Sequence, residues 1–319
     1  METQIKPSSV SLSEAVQYAK IVNLADILYK QAVANKDKAT QLNPSLKAYQ
    51  NILDDTEFQA LVDTDFLTNY YLLYNIQMND IIIPGNKDQV YYGFIAQNKS
   101  SKEYVMAIRG TENLLEALAD AFFVPKAFNE FNNGAQVPSG FYDLYESGLL
   151  VSPPDSELQI VPVLLNIVAA DPSLVMPDAQ KVRTVVAGHS LGASLATYFA
   201  AAASVGMGKG MDLCVYTYAS PISGDATFAN TYNSSVGENH RIHNAPDVVP
   251  GLPIYLQNGT NIYIQVAGGY QIDSTKYSLV KTGAGCAHQL PVYQYVLENL
   301  NGTDDPSIME EYNSGACKA

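Results

Sequence analysis

Ser190 is the residue from which a chemistry can be read. It stands in Gly188-His189-Ser190-Leu191-Gly192, a G-x-S-x-G pattern. A serine in that pattern attacks carbonyl carbons when it sits on a sharp strand-to-helix turn with its oxygen presented. The flanking sequence predicts both elements. Residues 182–187 are mostly apolar and read as a short buried strand; residues 193–203 are small and read as a helix. A strand and a helix leaving such a turn pass close together, so two positions either side only glycine fits, and Gly188 and Gly192 stand there. The helix start adds unpaired N–H groups and the positive end of its dipole, where an oxyanion would form.

A serine hydroxyl needs a base within hydrogen-bond reach, and the base needs a third group to hold its tautomer. On an elbow of this type the acid and the histidine follow the serine in chain order. The histidines are His189, His240, His243 and His288. His189 flanks the nucleophile, so its side chain is expected to point elsewhere. His240 and His243 fall in a predicted strand. His288 follows a Gly283-Ala284-Gly285 loop, just before the last helix, and is the expected base. Of the aspartates between, Asp212 precedes its strand, the wrong end of a parallel sheet for a site at the carboxyl edge. Asp225 reads as a helix N-cap. Asp273 lies in a polar loop. Asp247 follows a strand in a Pro-flanked loop and is the expected acid, with Asp225 second. The histidines are too separated in sequence to suggest a zinc site, so no metal or organic cofactor is expected.

The rest of the chain supplies the elements that must position these groups. Ser11-Leu12-Ser13-Glu14 looks like a capping box, followed by Ala15, Tyr18, Ala19, Val22, Ala25 and Leu28 at helical spacing. Helical stretches are expected near residues 46–53 and 57–78. Residues 90–96 and 103–108 read as a hairpin across a polar turn. Residues 135–139 read as a loop or short strand, 141–150 as a helix and 158–170 as a buried helix. Residues 213–218 and 239–243 read as strands, 261–266 as a hairpin strand and 290–300 as a helix. The alternation of strand and helix around the elbow argues an α/β fold with a mostly parallel central sheet flanked by helices. With no repeat or linker, residues 1–319 are expected to form one domain, 1–85 a helical elaboration and 88–300 the catalytic core.

A chain of 319 residues with 47% hydrophobic and 16% charged residues can bury a large core. Its formal charge of −14 argues against nucleic acid and anionic membrane surfaces as partners. No apolar run reaches the ~18 residues of a membrane span. The N-terminal Met1-Glu2-Thr3-Gln4 lacks the basic and apolar regions of a signal peptide. Three cysteines make no disulfide framework; Cys286 and Cys317 either pair or stay free, and Cys214 falls in a core strand.

Taken together and in order, Arg109-Gly110-Thr111, Gly140-Phe141, the elbow followed by Ala193, Ser220-Pro221 with Gly224-Asp225, the run from Asn244 through Asp247-Val248-Val249-Pro250, and the late His288 resemble the lipase class 3 family, the triacylglycerol lipases of filamentous-fungal type. The resemblance covers roughly residues 88–300. It implies an α/β-hydrolase fold with a Ser190–Asp247–His288 triad. It implies Thr111 and Leu191 as oxyanion donors, export from the cell, and acylglycerol or other lipid esters at a lipid–water interface as substrate. Phospholipase A1 or a short-chain esterase is the close alternative, and an inert lipid-binding relative the distant one. It also implies a helical lid over residues 113–123. At ~100° per residue, Leu114, Leu115, Leu118 and Phe122 share one face of such a helix, opposite Glu116 and Asp120. Two positions depart from the family: Glu116-Ala117 replaces its Asn-Trp pair in the lid, and Pro138 replaces a histidine before Gly140-Phe141.

Overall fold

A computed structural model describes residues 10–79, 88–111, 123–309 and 317. Nine strands form one sheet: β1 (Tyr70–Asn79), β2 (Gln89–Asn98), β3 (Tyr104–Ile108), β4 (Leu149–Val151), β5 (Val163–Leu164), β6 (Thr184–His189), β7 (Leu213–Tyr218), β8 (Glu238–Asn244) and β9 (Gly269–Ile272). Their spatial order is β9-β8-β7-β6-β3-β2-β1-β4-β5. From β3 through β6, β7 and β8 to β9 every pairing is parallel, and from β3 outward to β5 every pairing is antiparallel. The carboxyl ends of the parallel half form the edge at which an α/β sheet presents its site.

The helices of six residues or more among the described residues are α1 (Leu12–Ala34), α2 (Leu46–Asp54), α3 (Ser139–Glu146), α4 (Leu165–Ala170), α5 (Leu191–Val205), α6 (Ala226–Ser235) and α7 (Leu290–Leu300). They cover both faces. Residues of α1, α2 and α7 share one apolar core with inward residues of the sheet, and α3, α4, α5 and α6 share the other. Helix α5 is buried along nearly its whole length. That suits a sequence of alanine and other small residues, which lets a helix lie flat on β6 and β7 without a polar face.

The parallel strands β3, β6, β7 and β8 and the helices α1, α2, α5 and α7 fall where their patterns predict, β9 adds a strand the patterns do not predict, and β2–β3 is the expected hairpin. Ser11 Oγ accepts from the Glu14 N–H at 3.4 Å, the forward half of the expected box. The Glu14 carboxylate does not return to close the box; it turns to Arg183.

Three stretches correct the sequence reading. The expected helix over 57–78 ends as the short turn Phe66–Asn69, and Tyr70–Asn79 is an interior strand of the sheet. The N-terminal segment is therefore not a purely helical addition. Tyr70, Leu72, Leu73, Tyr74, Ile76 and Met78 are all buried; a strand buried on both faces loses its alternation and mimics a helix in sequence. The expected buried helix over 158–170 holds only in α4, since Leu158 and Val161 are exposed and Val163–Leu164 pairs with β4. The expected helix over 141–150 stops at Glu146, and Leu149–Val151 joins β1. Among the described residues no helix is long and apolar enough to cross a membrane.

Candidate active site

Strand β6 ends at His189 and α5 begins at Leu191, so Ser190 is the turn between them. Its backbone takes φ 57° and ψ −127°, a left-handed conformation that a non-glycine residue adopts at a cost. Its amide donates to the Tyr218 carbonyl at 2.9 Å, which ties the turn to β7. The flanking glycines are required by close approach. A Cβ on Gly188 would lie 2.3 Å from the Gly192 carbonyl oxygen. One on Gly192 would lie 2.3 Å from the Arg109 oxygen and 2.4 Å from the Ile108 oxygen. The second contact brings the start of α5 against the end of β3.

Three side chains from separate segments meet at the elbow. Ser190 Oγ is 2.8 Å from His288 Nε2, and His288 Nδ1 is 2.9 Å from Asp247 Oδ2. The carboxylate can only accept, so Nδ1 carries the proton and Nε2 is left as an acceptor facing the serine. Asp247 follows β8 in the tight turn that leads to Val249–Gly251, and its Oδ1 accepts the Val249 N–H at 3.0 Å. The Asp247 side chain is fully buried, and that of His288 retains 14% exposure. His288 caps the short helical turn Ala284–Ala287, at the mouth of α7.

The other sequence candidates fall elsewhere. Asp225 accepts the Phe228 N–H at 2.8 Å as the N-cap of α6. Asp273 caps the turn Ser274–Lys276, and Asp212 precedes β7. His240 lies beside Glu238 near the opposite end of β8, and His243 is half-buried on the same strand.

Thr111 and Leu191 lie on the two sides of the serine. Leu191 is the first residue of α5, where the helix itself offers its N–H no partner. Gly110 runs against the elbow: a Cβ there would be 3.0 Å from Ser190 Cβ. Thr111 therefore leaves the sheet beside the nucleophile. Arg109 fixes that exit. Its buried guanidinium donates to the Tyr91 oxygen at 2.8 Å and the Gly110 oxygen at 2.7 Å, and lies 3.5 Å over the Tyr29 ring. The lid residues Leu114, Leu115, Leu118 and Phe122 lie outside the described residues.

Three residues that sequence reasoning missed complete the site. His189, expected to point away, lies beside His288 instead. Their ring centroids are 5.0 Å apart, and His189 Nε2–H donates to the His288 carbonyl at 2.8 Å. Burial, reinforced by the nearby His288, pulls its pKa down to about 3, so it stays neutral. Tyr293, one turn into α7, donates its hydroxyl to Asp247 Oδ2 at 2.8 Å and accepts the Asn244 N–H at 2.9 Å. Burial and the Asp247 charge push its pKa well up, so it remains a donor. The Asn244 side chain bridges the loops: its Nδ2 donates to Ser274 Oγ and to the Ala287 carbonyl, each at 2.9 Å. Nothing in the sequence pattern singles out Tyr293 from the other apolar and aromatic residues of α7.

The lipase (class 3) family model matches residues 105–256, which include Ser190 and Asp247 but not His288. The chain is 33% identical over 191 residues to the secreted mono- and diacylglycerol lipase A of Penicillium cyclopium, an alignment covering 60% of this chain and 54% of that one. It is 27% identical over 254 residues to phospholipase A1-IIgamma of Arabidopsis thaliana, covering 70% of this chain and 56% of that one. The chain thus spans about half the length of the curated relatives it matches. A crystal structure of a mutant form of MDLA from Penicillium cyclopium superposes with a TM-score of 0.55 at 25% identity, covering 82% of this chain and 81% of that one. The fold is that of the α/β-hydrolases.

Proposed function

We propose that this chain, a member of the class 3 lipase family, hydrolyses the carboxylic esters of acylglycerols through a serine acyl-enzyme. One observation carries the reading: the continuous line of hydrogen bonds from Ser190 Oγ through His288 to Asp247 on a left-handed elbow. In the proposed reaction Ser190 Oγ bonds to the ester carbonyl carbon while its proton passes to His288 Nε2. Asp247 stabilises the imidazolium. His189, being neutral, adds no second positive charge beside it. The N–H groups of Thr111 and Leu191 hold the oxygen that takes up the negative charge. Collapse expels the alcohol with the proton from His288, and water repeats the sequence on the acyl-enzyme. None of these steps calls on a metal or an organic cofactor.

The lid belongs to this proposal. An apolar stripe of Leu114, Leu115, Leu118 and Phe122 would cover the acyl groove in water and lie on oil at an interface. That arrangement favours triacylglycerol, our first choice of substrate. The Penicillium relative is named for mono- and diacylglycerols and the Arabidopsis relative for phospholipid, and those are the alternatives. Rates on trioleoyl-, dioleoyl- and monooleoylglycerol emulsions, phosphatidylcholine and a dissolved short-chain ester separate them. Highest activity on one of the acylglycerol emulsions supports the proposal. Highest activity on phosphatidylcholine replaces it with a phospholipase, highest activity on the dissolved ester replaces it with a short-chain esterase, and no hydrolysis of any ester with Ser190 unlabelled by a phosphonate probe replaces it with a lipid-binding protein.

A further inference from the structure

The amino-terminal edge of the parallel strands, opposite the serine, carries a second cluster of reactive side chains. Cys214 is the second residue of β7, and Glu238 and His240 are the first and third of β8, with Glu238 and Cys214 paired directly in register. The period of two puts all three on one face. The Cys214 sulfur, a Glu238 carboxylate oxygen and a His240 ring nitrogen lie within 4.8 Å of one another. Cys214 and His240 are buried, while Glu238 is 46% exposed and opens the cluster to solvent.

One arginine links the cluster to two further carboxylates. Arg183, just before β6, lies 2.6 Å from Glu14 Oε1, 3.6 Å from Glu103 Oε2 and 3.5 Å from Glu238 Oε2. One guanidinium thus serves three carboxylates, and Glu238 Oε1 also lies 3.0 Å from His240 Nε2. The same guanidinium donates to Cys214 Sγ at 3.1 Å, so a cation already marks the position between the sulfur and Glu238.

We propose that Cys214, Glu238 and His240 form a zinc-binding site. Thiolate, imidazole and carboxylate are zinc's ordinary ligands, at about 2.3, 2.0–2.1 and 2.0–2.2 Å, which sets donor atoms ~3.3–3.6 Å apart in a tetrahedron. The three donors reach that spacing by small side-chain movements. Arg183 keeps Glu14 and Glu103 as the metal takes Cys214 and Glu238. The thiol proton leaves to water as the sulfur–zinc bond forms. The fourth position is left to water, and the ion clips β7 to β8 beneath the start of α1. The wide sequence spacing that argues against zinc is bridged by strand pairing.

The test uses the full chain stripped with a chelator and then titrated with zinc chloride. The proposal expects one zinc per chain, a higher Tm with zinc, and, with cobalt(II), a near-ultraviolet thiolate-to-metal band. Cys214→Ser abolishes the band and weakens zinc by more than roughly a hundred-fold, beyond the loss typical of an outer ligand partner. Should Cys214→Ser not fold, Glu238→Gln at the half-exposed ligand replaces it and weakens zinc at least ~10-fold. Zinc binding unchanged in either variant, a cobalt complex without a thiolate band, or no zinc retained at micromolar concentration overturns it.

Discussion

The Tyr293 hydroxyl stands between the Asn244 amide and Asp247 Oδ2, accepting from the first at 2.9 Å and donating to the second at 2.8 Å. Helix α7 thereby grips the acid that orients His288. Tyr293→Phe removes both bonds. A hydrogen bond to a charged group contributes about 1.5–3 kcal/mol, and an orphaned buried N–H costs about 1–3 kcal/mol. We expect stability to fall within that range and kcat by roughly ten-fold, with KM little changed and the acid limb of the pH–rate profile moved. Equal kcat and an unmoved limb would reduce Tyr293 to packing.

Asp247 and Asp225 separate under the same substitution. Asp247→Asn removes the charge that sets the His288 tautomer and should lower kcat by about four orders of magnitude, as in other triads. Asp225→Asn keeps a capping side chain at the start of α6, so its cost should stay under about 1 kcal/mol with activity retained. Steady-state kinetics on both proteins check this; the reverse pattern would exchange the two assignments.

The elbow glycines are expected to admit no side chain. On Gly192 a methyl group would meet backbone oxygens of Ile108 and Arg109, which cannot move without shifting β3. Gly192→Ala should cost about 3 kcal/mol or more, read as a lower denaturant midpoint. An unperturbed midpoint would show that the helix can slide away from the sheet.

His189 gives the fold a defined acid weakness. Its pKa falls from the ordinary 6.5 to about 3 in the native state, so between those values the unfolded chain binds more protons. Its contribution to stability is therefore full above pH ~6.5 and is lost as pH falls toward ~3. Denaturation of His189→Gln should show a flatter dependence over that window than the parent chain. Equal slopes would mean that His189 is protonated in the native state.

Much of this was legible because each feature is written locally. The elbow declares itself by two glycines around a serine, and α7 by its spacing of apolar residues. Asp247 and His288 follow from chain order and from the ends of predicted elements. The failures share a cause in tertiary context. Tyr70–Asn79 is buried on both faces, so its aromatic residues carry no strand alternation. Leu158 and Val161 are apolar yet exposed, which composition cannot foretell. His189 meets His288, and Tyr293 meets Asp247, only because the sheet edge gathers segments 46 to 99 residues apart. Cys286 and Cys317, left open by their number alone, form a disulfide.

That Ser190 is the nucleophile is tested most directly by intact mass spectrometry with a fluorophosphonate ester. We predict one covalent adduct per chain, mapped to Ser190, lost in His288→Ala, and accompanied by a roughly million-fold fall in kcat for Ser190→Ala. A folded Ser190→Ala protein that still hydrolyses esters at a substantial fraction of the parent rate, or an adduct mapped to another residue, would contradict it.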